Sequence, residues 1–593
     1  MSSKSSPLLV STGTVLLLLT TVLYVAISHQ LTPRLTDGRF HIENGEWIPF
    51  TDTLPPSDTP QYLDLAFVLQ LNPLHTRYYQ LIADDCIEAL AVNEQLIGEG
   101  VIPFCDLSRG RTFDLGSAIH SGNNVVAMTI QNVGGPASFT WRIAWWDPLL
   151  LSLRILLLAG LLSGAVLIAK GLSFSRWQNL FFGTFCFGVF LRLFYIFATS
   201  YEVRAYDADG HLEYIRYVAQ HLALPSVRDG WEFYQAPLYY MLTGLWLHVG
   251  TAFGRALPIL TRDTQWFAFF ASVLTLAGIA WIATTLFKPK EKLERVLFFG
   301  SLAVLPSLLF LSARINNDVL LFLWEVLCFG FLIAWWQKGR WITWWLAIAM
   351  LALAILTKTN GLLLVPAAFT LLIFKRKLAL KTKTFVGVTS VFALILLTGW
   401  IFTLRDGMSL DQPLVVNTGN LSPGLFVNNT VETFTEFNPL RMIVRPYNNP
   451  WDDASGRQYF WEYFFKSAFF GEFDFGLALR PLASAVLTCG LLMLLYAVCG
   501  AWMCIRREGL RTLPLWSTAG WLLLGHALHR FTTPHSCAQD FRFSLLVSVP
   551  VTFFAIRGLH FIRSPFRRLL GIVVVLASIV LQVVFVGGII VTM

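Results

Sequence analysis

The sequence predicts a polytopic α-helical membrane protein that carries a β-sandwich near its N-terminus, outside the membrane. Of the 593 residues, 55% are hydrophobic and 13% are charged, whereas soluble proteins have about 25% charged residues. Apolar stretches of about 20 residues, the length that crosses a bilayer, recur along most of the chain. One long segment near the N-terminus instead alternates apolar and polar residues, as half-buried strands do.

The apolar stretches predict about thirteen transmembrane helices. The predicted spans are residues 8–28, 148–169, 177–199, 264–287, 296–313, 317–336, 341–357, 359–374, 384–402, 481–504, 513–531, 542–556 and 569–590.

The distribution of Lys and Arg predicts the orientation. With the N-terminus inside, seven short inner segments contain 21 of the 44 Lys and Arg residues but only three acidic residues. Because basic residues accumulate in cytoplasmic loops, residues 29–147, 200–263 and 403–480 are expected outside. The same distribution explains the net charge of +8, because nearly half of the basic residues lie in short loops beside the membrane. It therefore excludes nucleic acid as the partner.

Four domains follow from these spans. Residues 1–28 form an N-terminal membrane anchor, 29–147 the outer β-sandwich, 148–176 a connecting transmembrane helix, and 177–593 the main membrane domain. A cleaved signal peptide is the alternative for the first segment. Its apolar run is long for a signal peptide and no clear small-x-small cleavage site follows, so a retained anchor is favoured.

The outer segment 29–147 shows period-two alternation in three stretches, residues 76–83, 87–97 and 123–131. Asn93-Glu94 is a plausible turn inside the second stretch. About 120 residues suit a sandwich of two packed sheets. The residues expected to face its core are Tyr79, Leu81, Val126, Met128, Ile130 and Trp141.

The run "ADDCIEALAVNEQLI … LSRGRTFDL … SGNNVVAMTIQN" resembles the jelly-roll domains of the galactose-binding class, which occur in glycoside hydrolases and carbohydrate-binding modules. The resemblance leaves open whether this domain binds a sugar or is purely structural. Cys86 and Cys105 both lie in the outer segment. An oxidising compartment would permit a disulfide between them, and two unpaired thiols are the alternative.

The loop 200–263 carries the first candidate chemistry. Asp207, Asp209 and His211 fall within five residues at the start of a helical pattern that Pro225 ends. Carboxylates and an imidazole at a membrane surface can act as general bases or hold a divalent cation. The alternative is an ordinary solvated helix start, with one of the aspartates as N-cap.

The next apolar stretch, residues 234–250, is 17 residues long by its numbering. If it crossed the membrane, every later loop would change sides and contradict the charge distribution. It is therefore predicted to lie in the outer face or to re-enter it. Its aromatic residues are typical of a membrane interface.

The motifs "YDADGHLEYIRY … YQAPLYY … ARINNDVLL … LTKTNGLLLVPAAF … DFRFSLLVSVP" resemble, in order and spacing, the GT-C superfamily of glycosyltransferases. The most similar branches are the aminoarabinose, protein O-mannosyl and lipopolysaccharide core transferases. These enzymes take sugars from polyprenyl-phosphate lipids. Many members have adjacent acidic residues, whereas Ala208 separates Asp207 from Asp209 here. Asp207 keeps the four-residue distance to His211, so Asp207 is favoured as the base.

The resemblance also implies roles for later residues. Asp318 would shape the active site together with Asp207, Asp209 and His211. Arg314, Lys358 and Arg542 are the candidate contacts of the donor phosphate, although Lys358 could also be snorkelling to the surface. The predicted substrate contacts are Tyr234, Tyr239, Asn317 and Glu472.

A further prediction concerns the aromatic run 459–475, which contains Lys466 and Glu472. It is expected to form an amphipathic interfacial helix that covers the sugar site or holds a polyprenyl chain.

The resulting hypothesis is an inverting transfer of a sugar from a polyprenyl-phosphate donor to a glycan, lipid or protein acceptor, outside a bacterial inner membrane. No P-loop or dinucleotide fingerprint is present in the sequence, so no cofactor is certain. A divalent cation, Mg²⁺ or Mn²⁺ held by Asp207 and Asp209, stays open. The rival hypotheses are a transporter or flippase for a lipid-linked sugar, and a membrane scaffold whose β domain binds glycans.

Overall fold

The computed structural model of the chain forms two compact units, residues 1–179 and 180–592. The residues that the structure describes are 6–42, 45–49, 56–57, 60–83, 86–98, 100–105, 110–132, 135–136, 139–144, 146–199, 201, 207–227, 229–253, 257–399, 422–562 and 564–592. The first part of the predicted outer loop 403–480 therefore lies outside the described residues.

The first unit is built on two apolar helices, α1 (Pro7–Leu31) and α2 (Pro148–Gly171). They pack side by side with their backbones very close. A Cβ on Gly164 would stand 2.8 Å from the carbonyl oxygen of Gly13. Small residues allow this close approach, which is a common way for membrane helices to associate.

Twelve strands have been assigned in the described part of the segment between these two helices. All their pairings are antiparallel. They are β1 (Arg34–Ile42), β2 (Ile48–Pro49), β3 (Pro56–Ser57), β4 (Gln61–Leu71), β5 (Tyr78–Ala83), β6 (Cys86–Val92), β7 (Gln95–Leu96), β8 (Phe104–Cys105), β9 (Arg111–Asp114), β10 (Gly122–Asn132), β11 (Gly135–Pro136) and β12 (Phe139–Ile143).

The strands form two main sheets that pack face to face. The larger has the order β2-β1-β4-β10-β6-β7, with β8 also paired to β6, and the smaller has the order β12-β5-β9. Phe67 of the larger sheet meets Trp141 of the smaller one with ring centroids 5.9 Å apart. The predicted β-sandwich is therefore confirmed, and all six residues predicted to face its core are buried.

The sandwich is fastened at two points. Cys86 and Cys105 are paired across β6 and β8 and form a disulfide, so the bridge that the sequence left open is present. At the base of the domain, the Asp147 carboxylate accepts hydrogen bonds from the amides of Leu149 and Leu150 and so caps α2. The same carboxylate accepts a hydrogen bond from the Thr76 hydroxyl, next to β5.

The second unit is almost entirely helical in its described part. Its helices are α3 (Arg176–Ala198), which begins at the boundary, α4 (Ala208–His221), α5 (Leu238–Ala252), α6 (Leu257–Leu286), α7 (Lys292–Ala303), α8 (Pro306–Leu311), α9 (Asp318–Lys338), α10 (Trp341–Thr357), α11 (Val365–Phe374), α12 (Leu380–Thr398), α13 (Val431–Thr435), α14 (Pro439–Val444), α15 (Phe460–Phe470), α16 (Arg480–Glu508), α17 (Leu513–Thr532), α18 (Ser548–Phe561) and α19 (Pro565–Thr592).

Within the described ranges, nine helical stretches are long and apolar enough to cross a membrane. Three differences explain why these nine stretches are fewer than the thirteen predicted spans. The predicted span 296–313 is broken in two before Pro306, 341–357 and 359–374 are shorter apolar helices, and α16 and α17 are counted as one stretch. The multi-spanning class is confirmed, and the number thirteen stays a prediction.

The stretch predicted to lie in the outer face forms α5, which has 15 residues. At 1.5 Å per residue it is about 22 Å long, too short for a hydrocarbon core of about 30 Å. One side of α5 is buried against the unit, whereas Leu245, Trp246 and other large apolar residues on its other side are exposed. The helix therefore has the length and the apolar surface of a segment that lies in the membrane interface.

Candidate active site

The candidate site is assembled in the second unit from five segments that are far apart in the sequence. A buried ion pair lies at its base. Asp318 is the first residue of α9, and Lys358 follows α10 in an extended conformation before a 3₁₀ turn. The Lys358 Nζ lies 2.5 Å from Asp318 Oδ1. Both side chains are buried, so the pair holds one charge of each sign below the surface.

Asp207 precedes α4 in an unusual conformation. Its φ of 61° lies in the left-handed region, which costs a non-glycine residue about 1–2 kcal/mol. It occupies the N-cap position, yet its side chain makes no capping hydrogen bond. The alternative of an ordinary N-cap aspartate therefore does not describe Asp207. Backbone strain of this kind often occurs at functional sites.

The Asp207 carboxylate points to Arg542 instead. Arg542 Nη2 lies 3.7 Å from Asp207 Oδ2 and 3.5 Å from Glu472 Oε1. Arg542 belongs to a 3₁₀ segment, Phe541–Val547, whose start is capped by the Asp540 side chain. One guanidinium thus lies between two carboxylates that come from different loops.

Phe543 links the two cations of the site. The Lys358 Nζ and the Arg542 Cζ each lie 5.1 Å from the centroid of its ring. Such cation–π contacts are favourable by roughly 0.5–2 kcal/mol each. The contacts place Lys358 and Arg542 on one aromatic side chain. Asp318, the partner of Lys358, and Asp207, the partner of Arg542, therefore belong to the same site.

The acidic residues of the site differ in their access to solvent. Asp318 and Asp540 are fully buried, and the Glu472 side chain is 12% exposed whereas that of Asp207 is 39% exposed. Burial also raises the pKa of Glu472, although Arg542 opposes this shift. Asp207 is therefore the carboxylate of this group that a substrate can reach most easily.

A hydrogen-bonded layer supports the start of α4. His211 is buried, and its Nδ1 lies 2.8 Å from the Tyr240 hydroxyl. The Tyr240 ring stacks on Tyr214 at 3.8 Å, and its hydroxyl also accepts a hydrogen bond from Asn317 Nδ2 at 3.4 Å. Burial lowers the pKa of His211 well below its usual value, so the imidazole is neutral at neutral pH. His211 thus positions α4 and lies beneath the surface of the site.

Glu232 is a residue of the site that the sequence analysis missed. It is buried, and its Oε2 accepts a hydrogen bond of 2.9 Å from Gln235, which also bonds the Tyr234 hydroxyl. Burial, with a smaller contribution from the Asp207 charge, raises the pKa of Glu232 to about 7. An acidic residue among aromatic residues, just before the apolar stretch 234–250, was the signal that could have identified it.

Several predicted site residues lie elsewhere. Asp209 is exposed on the first turn of α4. Arg314 is fully buried, and its guanidinium donates to the Tyr195 hydroxyl at 2.6 Å. Tyr239 is buried against Phe267 in the core of the unit. The contacts of Arg314 and Tyr239 therefore hold the helices together.

The aromatic run 459–475 forms α15, but most of this helix is buried. Lys466 was expected at an interface, and its Nζ instead donates to the carbonyl of Tyr447, at 2.8 Å, and to the buried carbonyl of Ser455. Burial lowers the pKa of Lys466 to about 8. The expectation of an amphipathic interfacial helix is corrected, because α15 is mostly buried in the unit. Glu472 follows two residues after its end.

The residues considered for a divalent cation do not form a ligand set. No group of three or more His, Cys, Asp or Glu side chains suitable for a metal occurs among the residues that the structure describes. The positive charge nearest to the Asp207 carboxylate is provided by Arg542, whose Nη2 lies 3.7 Å from Oδ2. No step of the mechanism is therefore assigned to a metal.

Comparison with protein families identifies one segment. Residues 259–402 match the family described as dolichyl-phosphate-mannose-protein mannosyltransferase. The match covers about a quarter of the chain and supports the resemblance to the GT-C superfamily of glycosyltransferases. The segment includes Asp318 and Lys358, the ion pair of the site, and the resemblance predicted from the sequence motifs is confirmed at the level of the superfamily.

Two solved structures have a distant similarity to the chain. The oligosaccharyltransferase of Archaeoglobus fulgidus aligns over 70% of this chain and 56% of its own, with 12% identity and a TM-score of 0.41. The arabinosyltransferase EmbB of Mycobacterium smegmatis aligns over 93% of this chain and 53% of its own, with 11% identity and a TM-score of 0.38. The chain thus spans little more than half the length of either protein. A comparison with curated protein sequences gives no match.

Proposed function

We propose that this GT-C protein transfers a sugar from a polyprenyl-phosphate-linked donor to an acceptor on the extracytoplasmic side of a bacterial inner membrane, and that Asp207 is its general base. The acceptor is a hydroxyl or amine of a glycan, a lipid or a protein. The observation that carries the proposal is the position of Asp207. It is the accessible carboxylate in a group of buried acids, and it faces the cation that would meet the donor phosphate.

The proposed step is one displacement. Asp207 accepts the proton of the acceptor O–H or N–H as the acceptor atom attacks the anomeric carbon. The bond from that carbon to the phosphate oxygen breaks on the opposite side, and polyprenyl phosphate leaves with the bonding electrons. The anomeric configuration is therefore inverted.

Lys358 and Arg542 provide the positive charge for the leaving phosphate. Both lie on the Phe543 ring, 5.1 Å from its centroid. Fixed cations that need no reorganisation stabilise charge developing in a transition state more effectively than water does. We assign the leaving-group charge to this pair, and contacts with the sugar or acceptor to Glu472, Tyr234 and Asn317. Of these three, Glu472 lies 3.5 Å from Arg542 Nη2, and Tyr234 and Asn317 both contact Gln235.

Arg314 takes a different part in the proposal. Because its guanidinium is bonded to Tyr195 in the interior, it is assigned to fixing the turn before α9, not to direct contact with the donor. Asp318 acts through Lys358, whose ammonium group it holds in place.

The test is a product analysis with the full-length protein reconstituted in nanodiscs. A water-soluble short-chain polyprenyl-phosphate sugar and a panel of envelope glycans, lipids and proteins serve as substrates. A transferase releases free polyprenyl phosphate and forms a glycosylated acceptor of inverted configuration. If the donor is only moved between the leaflets of proteoliposomes and stays intact, the chain is a transporter and the proposal is wrong.

A further inference from the structure

The second unit carries a cluster of basic residues far from the candidate active site. Residues 326–405 contain no Asp or Glu. Most Lys and Arg residues of this segment lie around the end of α9 and the turn between α11 and α12. We call them the basic cluster: Lys338, Arg340, Lys375, Arg376, Lys377, Lys381 and Lys383. Arg340 and Lys358 flank the two ends of α10, whose 17 residues at 1.5 Å each separate them by about 26 Å.

One lysine joins the two parts of the basic cluster. The Lys375 Nζ donates to the carbonyl of Trp336 at 2.5 Å and to that of Trp335 at 3.3 Å. The same ammonium group lies 4.9 and 5.0 Å from the centroids of these two rings. Both carbonyls belong to the last turn of α9, which Lys338 ends. The turn after α11 is therefore fastened beside Lys338 and Arg340, and the basic cluster forms one surface.

Helix ends account for two cations of the basic cluster. Lys375 bonds the end of α9, and the Lys383 Nζ donates to the carbonyl of Ile373, in the last turn of α11, at 2.6 Å. Cations are favourable at the C-terminal ends of helices. The other five side chains are exposed and make no hydrogen bond or ion pair within the part of the chain that the structure describes. They are Lys338, Arg340, Arg376, Lys377 and Lys381.

Other basic segments on the predicted inner side are paired with acids. Arg557 lies 2.8 Å from Glu291 and 3.5 Å from Glu508, and Arg568 lies 2.8 Å from Glu294. These three glutamates are all the acidic residues of the predicted inner segments, so none is left for the basic cluster. Basic residues are expected on the cytoplasmic side, but that rule does not require one group of them to lack acidic partners.

Exposed apolar side chains lie beside the basic cluster. Trp341 and Trp345 are exposed at the start of α10, and tryptophan is enriched at the membrane–water interface. Phe374 is exposed at the end of α11, and Leu380 and Phe385 are exposed in the first two turns of α12. A phosphate group bound at the cluster would therefore have apolar surface for acyl chains within one or two helical turns.

We propose that the basic cluster binds an anionic phospholipid with two phosphates, in the leaflet on the side predicted inside. Like charges held together repel one another, and five cations without partners exceed what one phosphodiester neutralises. Phosphate oxygens accept strong hydrogen bonds from Lys and Arg, and basic pockets at the cytoplasmic ends of transmembrane helices bind such head groups. A zwitterionic lipid would leave the repulsion in place, and soluble phosphate would not use the apolar surface.

The test measures lipid binding and does not require turnover. The full-length protein is reconstituted in phosphatidylcholine nanodiscs with added cardiolipin, which has two phosphates, or phosphatidylglycerol, which has one. Native mass spectrometry counts the retained lipid, and a photoactivatable cardiolipin identifies where it binds. Wild type should retain cardiolipin preferentially, with crosslinks in residues 338–345 and 373–385. The combined variant Arg376→Gln, Lys377→Gln, Lys381→Gln should bind cardiolipin more weakly by about tenfold or more.

The matched control, Lys288→Gln, Lys290→Gln, Lys292→Gln, removes three exposed lysines from another predicted inner segment. It changes the net charge equally and should retain cardiolipin as wild type does. Inorganic phosphate should not displace the lipid. Crosslinking of the wild-type protein keeps the test decisive if the loss of charge disturbs membrane insertion. The proposal is overturned if wild type retains cardiolipin no better than phosphatidylcholine, if both triple variants lose it equally, or if the crosslinks lie elsewhere. The basic cluster would then be a signal of orientation only.

Discussion

Arg542 Nη2 lies 3.7 Å from the carboxylate of Asp207, a residue whose backbone is left-handed and whose side chain does not cap the helix that it precedes. The same nitrogen is 3.5 Å from Glu472. Asp207 thus combines backbone strain, partial exposure and a cationic partner. This combination distinguishes it from Asp209, which is two residues away and exposed on α4.

The first prediction concerns the base. Asp207→Asn keeps the shape of the side chain but cannot accept a proton at neutral pH, so turnover should fall by about 10²–10⁴-fold. Donor affinity should change little, because Lys358 and Arg542 remain. Steady-state release of polyprenyl phosphate and binding of the donor measure the two effects. Asp209→Asn is the control and should retain activity; if it is inactive while Asp207→Asn is active, the base has been misassigned.

The second prediction concerns Glu232, whose pKa is raised from 4.5 to about 7 by burial. The folded protein then binds more protons than the unfolded chain between these two values, so stability should decrease as the pH rises through this window. At about 1.4 kcal/mol per pKa unit the loss is on the order of 3 kcal/mol. In Glu232→Gln this contribution is absent. Melting temperatures of both proteins from pH 4 to 8 should therefore diverge, and parallel curves would contradict the prediction.

The third prediction concerns the buried pair. Lys358→Ala leaves the Asp318 carboxylate buried without its cation, which should cost about 3–5 kcal/mol. The double variant Lys358→Met, Asp318→Asn removes both charges and should regain most of that stability. Thermal unfolding in detergent gives the comparison. Both variants should bind the donor less tightly than wild type. A single variant as stable as the double variant would show that the pair is not buried as described.

The fourth prediction concerns the disulfide between Cys86 and Cys105, which are 19 residues apart. A crosslink that closes a loop of this size stabilises by about 3 kcal/mol. Replacing both cysteines by serine should therefore make the sandwich more sensitive to limited proteolysis. Donor turnover serves as the internal control and should be unchanged, because the active-site residues belong to the second unit. Equal protease resistance with and without the bridge would refute the prediction.

The fifth prediction concerns orientation. In a background whose free cysteines are replaced by serine, Ser226→Cys should react with a membrane-impermeant maleimide in intact spheroplasts. Lys290→Cys, in one of the basic segments predicted inside, should react only after lysis. The reverse pattern would place the candidate active site on the cytoplasmic side and remove the basis for a flipped lipid donor.

The sequence by itself determined the membrane class, the β-sandwich and the loop that carries Asp207. These features depend on local patterns: hydropathy over about 20 residues, alternation with period two, and the sign of charge in short loops. The alternation also identified core residues such as Tyr79 and Trp141. Patterns of this kind are visible in the chain because neighbouring residues share one secondary-structure element and one environment.

Only the tertiary structure shows which residues of the candidate active site contact one another. It buries His211 beneath α4, pairs Lys358 with Asp318, brings Arg542 to Asp207 and adds Glu232. These contacts join segments that are tens to hundreds of residues apart, and no local pattern encodes which of several charged residues will meet. Their arrangement depends on how the helices pack, because each buried charge must find an opposite charge or a hydrogen bond once water is excluded.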